Sequence, residues 1–130
     1  MSNFQLIRSA KNKSANRVVE TPLLSNEKVN QIIGKKVFIK PECLQVTGSF
    51  KFRGAWSALS HFQSEDKVFN GVVAYSSGNH AQGIAAAAKA HKVPAVIIMP
   101  RDAPRIKIEN TLNYGAEVIF YDRMKEVRED

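Results

Sequence analysis

Residues 71–100 read GVVAYSSGNHAQGIAAAAKAHKVPAVIIMP, and they decide the fold. GVVAYSS is a short β-branched run that stops at two serines, so it reads as a strand ending in a loop. NHAQGIAAAAKAHK is rich in alanine, the strongest helix former, and Ser77 or Asn79 is placed near its N-cap. VPAVIIMP is a nearly continuous apolar run, the pattern of a strand buried on both faces. The chain then repeats the alternation. APRIKIENTLNYG (103–115) carries Pro near its start and Gly past its end, the asymmetry of a helix, and AEVIFYD (116–122) is a third strand. MKEVRED (124–130) reads as the opening of another helix. Strand–helix–strand–helix–strand over roughly 50 residues predicts βαβ units, a parallel sheet and an α/β fold.

Upstream of residue 71 the pattern is less regular. IRSAKNKSAN (7–16) is a candidate short helix, and VVETPLL (18–24) an extended segment fixed by its Thr-Pro bond. KKVFIKPE (35–42) is a candidate strand. SFKFRGAWSALSHF (49–62) is a candidate helix with Ser49 as N-cap and Phe52, Ala55, Trp56 and Leu59 on one stripe. Lys51 then falls in the first turn, where the helix dipole is positive and a cation is out of place.

Composition bounds the function. The 130 residues suit one ordinary domain, 44% apolar and 24% charged, with nothing of a disordered or disulfide-rich chain. The longest charge-free apolar region, near residues 68–88, is broken by Asn70, Ser76, Ser77, Asn79, His80 and Gln82, which argues against a membrane span. The N-terminus lacks the apolar core of a secretory signal, and the single cysteine, Cys43, has no internal disulfide partner. These features predict a cytoplasmic protein, with Cys43 as a small buried hydrophobe. The net charge of +7 lies wholly in residues 1–53, chiefly on Arg8, Lys11, Lys13, Arg17, Lys28, Lys35 and Lys36. No aromatic residues interleave these charges as a single-strand nucleic-acid binder requires, so a solvated basic face is expected and a nucleic-acid partner is not. No carboxylate or histidine cluster has metal-ligand spacing.

Two stretches carry chemistry. In TGSFKFRGA (47–55) the helix start and apolar neighbours both favour a neutral amine on Lys51, the form that attacks a carbonyl, and Phe50 can lie flat on an aromatic cofactor. SSGNHAQG (76–83) follows a strand and opens a helix, where open α/β sheets bind their ligands. It offers the hydroxyls of Ser76 and Ser77, the flexible Gly78, the amide of Asn79 and helix-terminal N–H groups, which suit a carboxylate or phosphate. His80 on its own would cap or pack as readily as it would act as an acid–base group.

Taken together, KPECLQVTGSFKFRGA (40–55) and SSGNHAQG resemble the serine/threonine dehydratase and serine racemase family, fold-type II pyridoxal-phosphate enzymes. Thr21-Pro22-Leu23, MPRDAPRIK (99–107) and YGAEV (114–118) match in order. Cysteine and threonine synthases usually have Lys-Asp-Arg at the lysine, whereas Phe52-Arg53-Gly54 is similar to the dehydratase–racemase branch.

The resemblance implies a three-layer parallel sheet and pyridoxal phosphate as cofactor. It implies a small β-hydroxy amino acid such as threonine or serine as substrate, with a 2-oxo acid and ammonia as products. Lys51 would hold the cofactor as a Schiff base and take the substrate α-proton, Phe50 would pack on the pyridine ring, and Asn79 would bond the ring hydroxyl. Ser76, Ser77, Gly78, Asn79 and His80 would grip the substrate carboxylate. Ser77 is also a candidate catalytic hydroxyl, because serine racemases and hydroxyaspartate dehydratases share Ser-Ser here where many threonine dehydratases have Ser-Ala. The family plan makes residues 1–70 the start of a large cofactor domain and 71–130 most of a smaller one, in a homo-oligomer of longer chains. The glycine-rich phosphate loop of the family has no counterpart in these 130 residues. The sequence thus reads as an N-terminal part, expected to bind cofactor weakly and turn over poorly by itself. A non-catalytic remnant is the competing reading.

Overall fold

The computed structural model describes residues 3–64 and 69–127. Its centre is a three-stranded parallel sheet in the order β1-β2-β3, with β1 at Val72–Tyr75, β2 at Ala95–Pro100 and β3 at Glu117–Tyr121. Val72 pairs with Ala95, and Val96 with Glu117. The alternation predicted from residue 71 onward is therefore present, and β2, the most continuous apolar run, is the central strand. Ile97 and Met99 on it are fully buried.

Between β1 and β2 runs helix α4, Asn79–His91, and eight consecutive residues of it, Ala81 to Ala88, are buried. A helix buried on all sides must meet a neighbour on every face. Here the neighbours are the sheet, helix α5 (Arg105–Asn113) and helix α3 (Lys51–Ser64). Small side chains let these backbones approach closely. The expected stripe on α3 is real: Phe52, Ala55, Trp56 and Leu59 are all buried in the same core. Helix α5 begins after Pro104 and is followed by Gly115 at φ +85°, so the proline and glycine bracket it as their chemistry predicts.

The N-terminal region wraps this core. Helix α1 (Asn3–Lys13) includes the first part of the expected segment, and Trp56 Nε1 donates to the Lys13 carbonyl at 2.8 Å, tying it to α3. Arg17 stands over the Trp56 ring and His91 packs beside it. KKVFIKPE is not a strand: among the described residues its one bridge pairs Ile39 with Leu24, and the pairing does not extend into a ladder. A helix that the sequence pattern did not suggest, α2 (Glu27–Ile33), fills the interval, capped by Asn26 and closed by Gly34. Residues 122–127 form a turn rather than a helix, with Asp122 accepting from the Met124 N–H, and 128–130 lie outside the described residues. Cys43 is exposed, not buried. Its short helical turn directs Glu42 and Gln45 inward to partners, which leaves the residues between them facing out. No helix among the described residues is long and apolar enough to cross a membrane.

Candidate active site

Lys51 is the first residue of α3, as the sequence implied, and three supports fix it there. The first is the bend before it. Thr47 and Gly48 both have left-handed backbones, at φ 67° and 69°, an uncommon conformation for a β-branched residue. The second is an ion pair: Arg53 donates to Glu42 through Nε at 2.7 Å and Nη2 at 2.8 Å, while Thr21 Oγ1 donates to the same carboxylate at 2.6 Å. Arg53 also reaches the Val19 carbonyl at 3.1 Å, and Lys40 the Thr21 carbonyl at 2.9 Å. Arg53 of the FRG string is therefore a clamp that ties residues 19–21 and 40–42 to the first turn of α3. The guanidinium holds the Glu42 carboxyl down at about 2, against the opposing effect of burial. The third support is Gln45, whose buried amide pairs with both backbone groups of Val19 at 2.8 Å.

Ser49 does not cap α3. Its hydroxyl is buried without a hydrogen-bond partner, as is that of Thr47, and the Arg53 N–H bonds the Phe50 carbonyl instead. Two orphaned hydroxyls within four residues of Lys51 are costly unless something else engages them, and such groups concentrate at functional sites. Phe50 is 57% exposed, and the Lys51 ammonium lies 5.1 Å from its ring centroid. Phe52 turns away into the core, so the amine meets phenylalanine on one side only.

The second stretch sits against the first. A Cβ on Gly83 would lie 3.1 Å from the Lys51 carbonyl carbon and 3.2 Å from the Phe52 nitrogen, so glycine there lets α4 seat tightly on the start of α3. Asn79 and His80 are one turn earlier on the same flank of α4. His80 is half-buried, and its pKa is lowered first by burial and then by the Lys51 charge.

Neither Ser77 nor Asn79 caps α4. The cap is Gly78, with no side-chain bond, while the Gly78 N–H donates to Ser76 Oγ at 3.2 Å. The first N–H groups of α4 are thus left for another acceptor. Asn79 Oδ1 accepts from Lys107 Nζ at 2.7 Å and from Gln82 Nε2 at 3.5 Å, and no bond among the described residues engages its Nδ2. Ser76 and Ser77 also border an opening. With Tyr75, Pro100, Tyr121 and Arg123 they line a polar cleft of about 260 Å³ beyond the carboxyl ends of the strands. Arg123 is tied there to Asp102 at 2.9 Å. No group of three His, Cys, Asp or Glu among the described residues could hold a metal ion.

These residues fit pyridoxal phosphate in part. A lysine, a free amide N–H, an exposed phenylalanine and orphaned hydroxyls are partners for its aldehyde and ring, and no glycine-rich phosphate cradle accompanies them. Sequence reasoning assigned no role to Gln82, Gly83 or Lys107, although a glycine inside an alanine helix is itself a signal of close approach.

A parallel α/β sheet that sets a helix-leading lysine against an anion-ready helix start defines the fold-type II class of pyridoxal-phosphate enzymes. Residues 15–130 match the family described as pyridoxal-phosphate dependent enzyme, and the chain belongs to it. It is 55% identical over 109 residues to an L-threo-3-hydroxyaspartate ammonia-lyase of a Pseudomonas species, covering 84% of this chain and 34% of that one. It is 44% identical over 120 residues to the L-threonine ammonia-lyase of Thermotoga maritima, covering 92% of this chain and 30% of that one. The solved structure of maize serine racemase superposes with a TM-score of 0.89 at 42% identity, over 98% of this chain and 39% of that one. The chain thus spans less than two-fifths of the length of these relatives, which are lyases and a racemase alike.

Proposed function

We propose that this chain supplies the reactive lysine and the substrate-gripping loop of a pyridoxal-phosphate-dependent ammonia-lyase. Its substrate is a small β-hydroxy amino acid, such as threonine, serine or 3-hydroxyaspartate, and its products are a 2-oxo acid and ammonia. The observation that carries this reading is the seating of Lys51, through Gly83, against the uncapped start of α4. Pyridoxal phosphate, when bound, supplies the electron sink that lets the substrate Cα–H bond break.

The chain's own groups do the rest. Lys51 would hold the cofactor through Nζ, and the same atom, as a free amine, would take the substrate α-proton. Phe50 would pack on the cofactor ring, and Asn79 Nδ2 would donate to the ring hydroxyl oxygen. The loop Ser76, Ser77, Gly78, Asn79 and His80 binds the carboxylate through hydroxyls and helix-terminal N–H groups. Residues 1–70 belong on this plan to a larger cofactor domain and 71–130 to a smaller one, and the complete enzyme is a homo-oligomer.

Serine racemisation is the second reading. It rests on Ser77, whose hydroxyl is exposed and has no hydrogen bond among the described residues. Such a hydroxyl can return a proton to Cα.

Borohydride reduction in excess pyridoxal phosphate, followed by mass spectrometry, tests the assignment because it traps even weak adducts. The label is expected on Lys51 and absent from Lys51→Ala. Equal labelling of Lys51→Ala would overturn it. Incubation with threonine, both serine enantiomers and threo-3-hydroxyaspartate, reading 2-oxo acid and chirality separately, ranks the two reactions. Loss of racemisation alone in Ser77→Ala favours the second reading.

A further inference from the structure

An amide side chain has two chemically different ends of nearly the same shape, so a site that needs the N–H end must hold the oxygen elsewhere. Around Asn79 that task falls to side chains of α5 and to one residue of α4. Lys107 Nζ stands 2.7 Å from Asn79 Oδ1, and an ammonium can only donate, so the oxygen has to face it. Gln82 Nε2 points at the same oxygen from 3.5 Å. Gln82 is itself locked, because it is 1% exposed and its own oxygen accepts from Asn110 Nδ2 at 2.9 Å. Lys107 is anchored in turn: its N–H bonds the Pro104 carbonyl at 2.8 Å, and its carbonyl accepts from the fully buried Thr111 hydroxyl at 2.7 Å. Two independent donors therefore converge on one end of the Asn79 amide and leave the other end facing out.

We infer that Lys107 is a positioning residue for Asn79, pinning its amide so that Nδ2–H is presented to the ring hydroxyl oxygen of the cofactor. This rests on the cofactor reading given above. Lys107 has no carboxylate partner among the described residues, and it adds its charge to that of Lys51 and to the positive end of α4. That accumulation is unfavourable in the absence of an anion and favourable in its presence. The ammonium also withdraws electrons from the amide through Oδ1, which makes Nδ2–H a stronger donor and favours an ionised ring oxygen.

The test has two arms. In the 130-residue chain without cofactor, the side-chain amide resonances of Asn79 are expected to shift in Lys107→Met and to return in Lys107→Arg, which restores a donor. Unchanged Asn79 resonances in Lys107→Met would overturn the inference. Backbone spectra of both variants check that the fold is intact. With pyridoxal phosphate added, Lys107→Met is expected to bind about tenfold more weakly, as for one lost charge-assisted hydrogen bond. The pH midpoint of its bound-cofactor absorbance should move upward. If the amide shift appears but borohydride labels nothing at Lys51, the cofactor reading fails and the positioning stands. If labelling proceeds while Lys107→Met leaves resonances, affinity and midpoint unchanged, the positioning fails and the reading stands.

Discussion

Glu42 shows how little of the site's support lies in the residues that would touch a ligand. Its carboxylate takes hydrogen bonds from Arg53 and Thr21, and the Arg53 bonds chiefly hold its pKa at about 2, below the ordinary 4.5. Since the folded value lies below the unfolded one, the stabilisation is complete above about pH 4.5 and drains away as the pH falls towards 2. The pair is only partly shielded from water, so we expect Glu42→Gln to cost about 1–2 kcal/mol at pH 7. Denaturant midpoints of parent and variant should converge below pH 4.5. A gap that is the same at pH 3 and pH 7 would show that the charge contributes nothing. The string around Lys51 was legible because its residues are adjacent. The role of Arg53 was not, since its partners stand eleven and thirty-two residues away.

At the scale of elements, the decisive contact is between α3 and α4. Gly83→Ala would bring a methyl to 3.1 Å from the Lys51 backbone, where no flexible side chain can give way. We expect a loss of about 1–3 kcal/mol despite alanine's better helix propensity, read as a lower urea midpoint. A neutral or stabilising result would mean that the two helices can separate at no cost. The strands and helices from residue 71 onward were visible in the sequence because each turns apolar residues toward the core, and that packing writes a period into the chain. Helix α2 buries no residue, so it left only its Asn26 cap and Gly34 stop as traces. KKVFIKPE has strand-like residues without a partner strand, and a single bridge to Leu24 is all it makes.

Across the whole molecule, order is unevenly distributed. The core lies in α3, α4, β2 and their neighbours, whereas residues 22–44 contain no buried residue and expose Leu23, Ile32, Ile33, Phe38, Ile39 and Leu44. What holds this segment is a few hydrogen bonds, such as Ser25 to the Val37 carbonyl and Asn30 to the Val37 N–H. Amide hydrogen exchange should therefore be slowest in α4 and β2 and fast through residues 22–39, which the Arg53–Glu42 clamp does not reach and where local opening costs little. Equal protection in both regions would contradict this division. The layered fold was readable from composition and period, but the bare apolar surface was not, because sequence pattern predicts which residues favour burial and not whether a partner surface is at hand.

The alanines of α4 have one more consequence. From Ala85 to Ala88 the buried side chains are bare methyls, with no torsion angle to adjust. A core of leucines can absorb a small push by rotamer change, but this helix has almost no such slack. Force applied at its first turn, where a ligand would press, is therefore expected to pass along the axis with little absorbed by side-chain adjustment. The first backbone it meets there is that of Lys51, lying against Gly83.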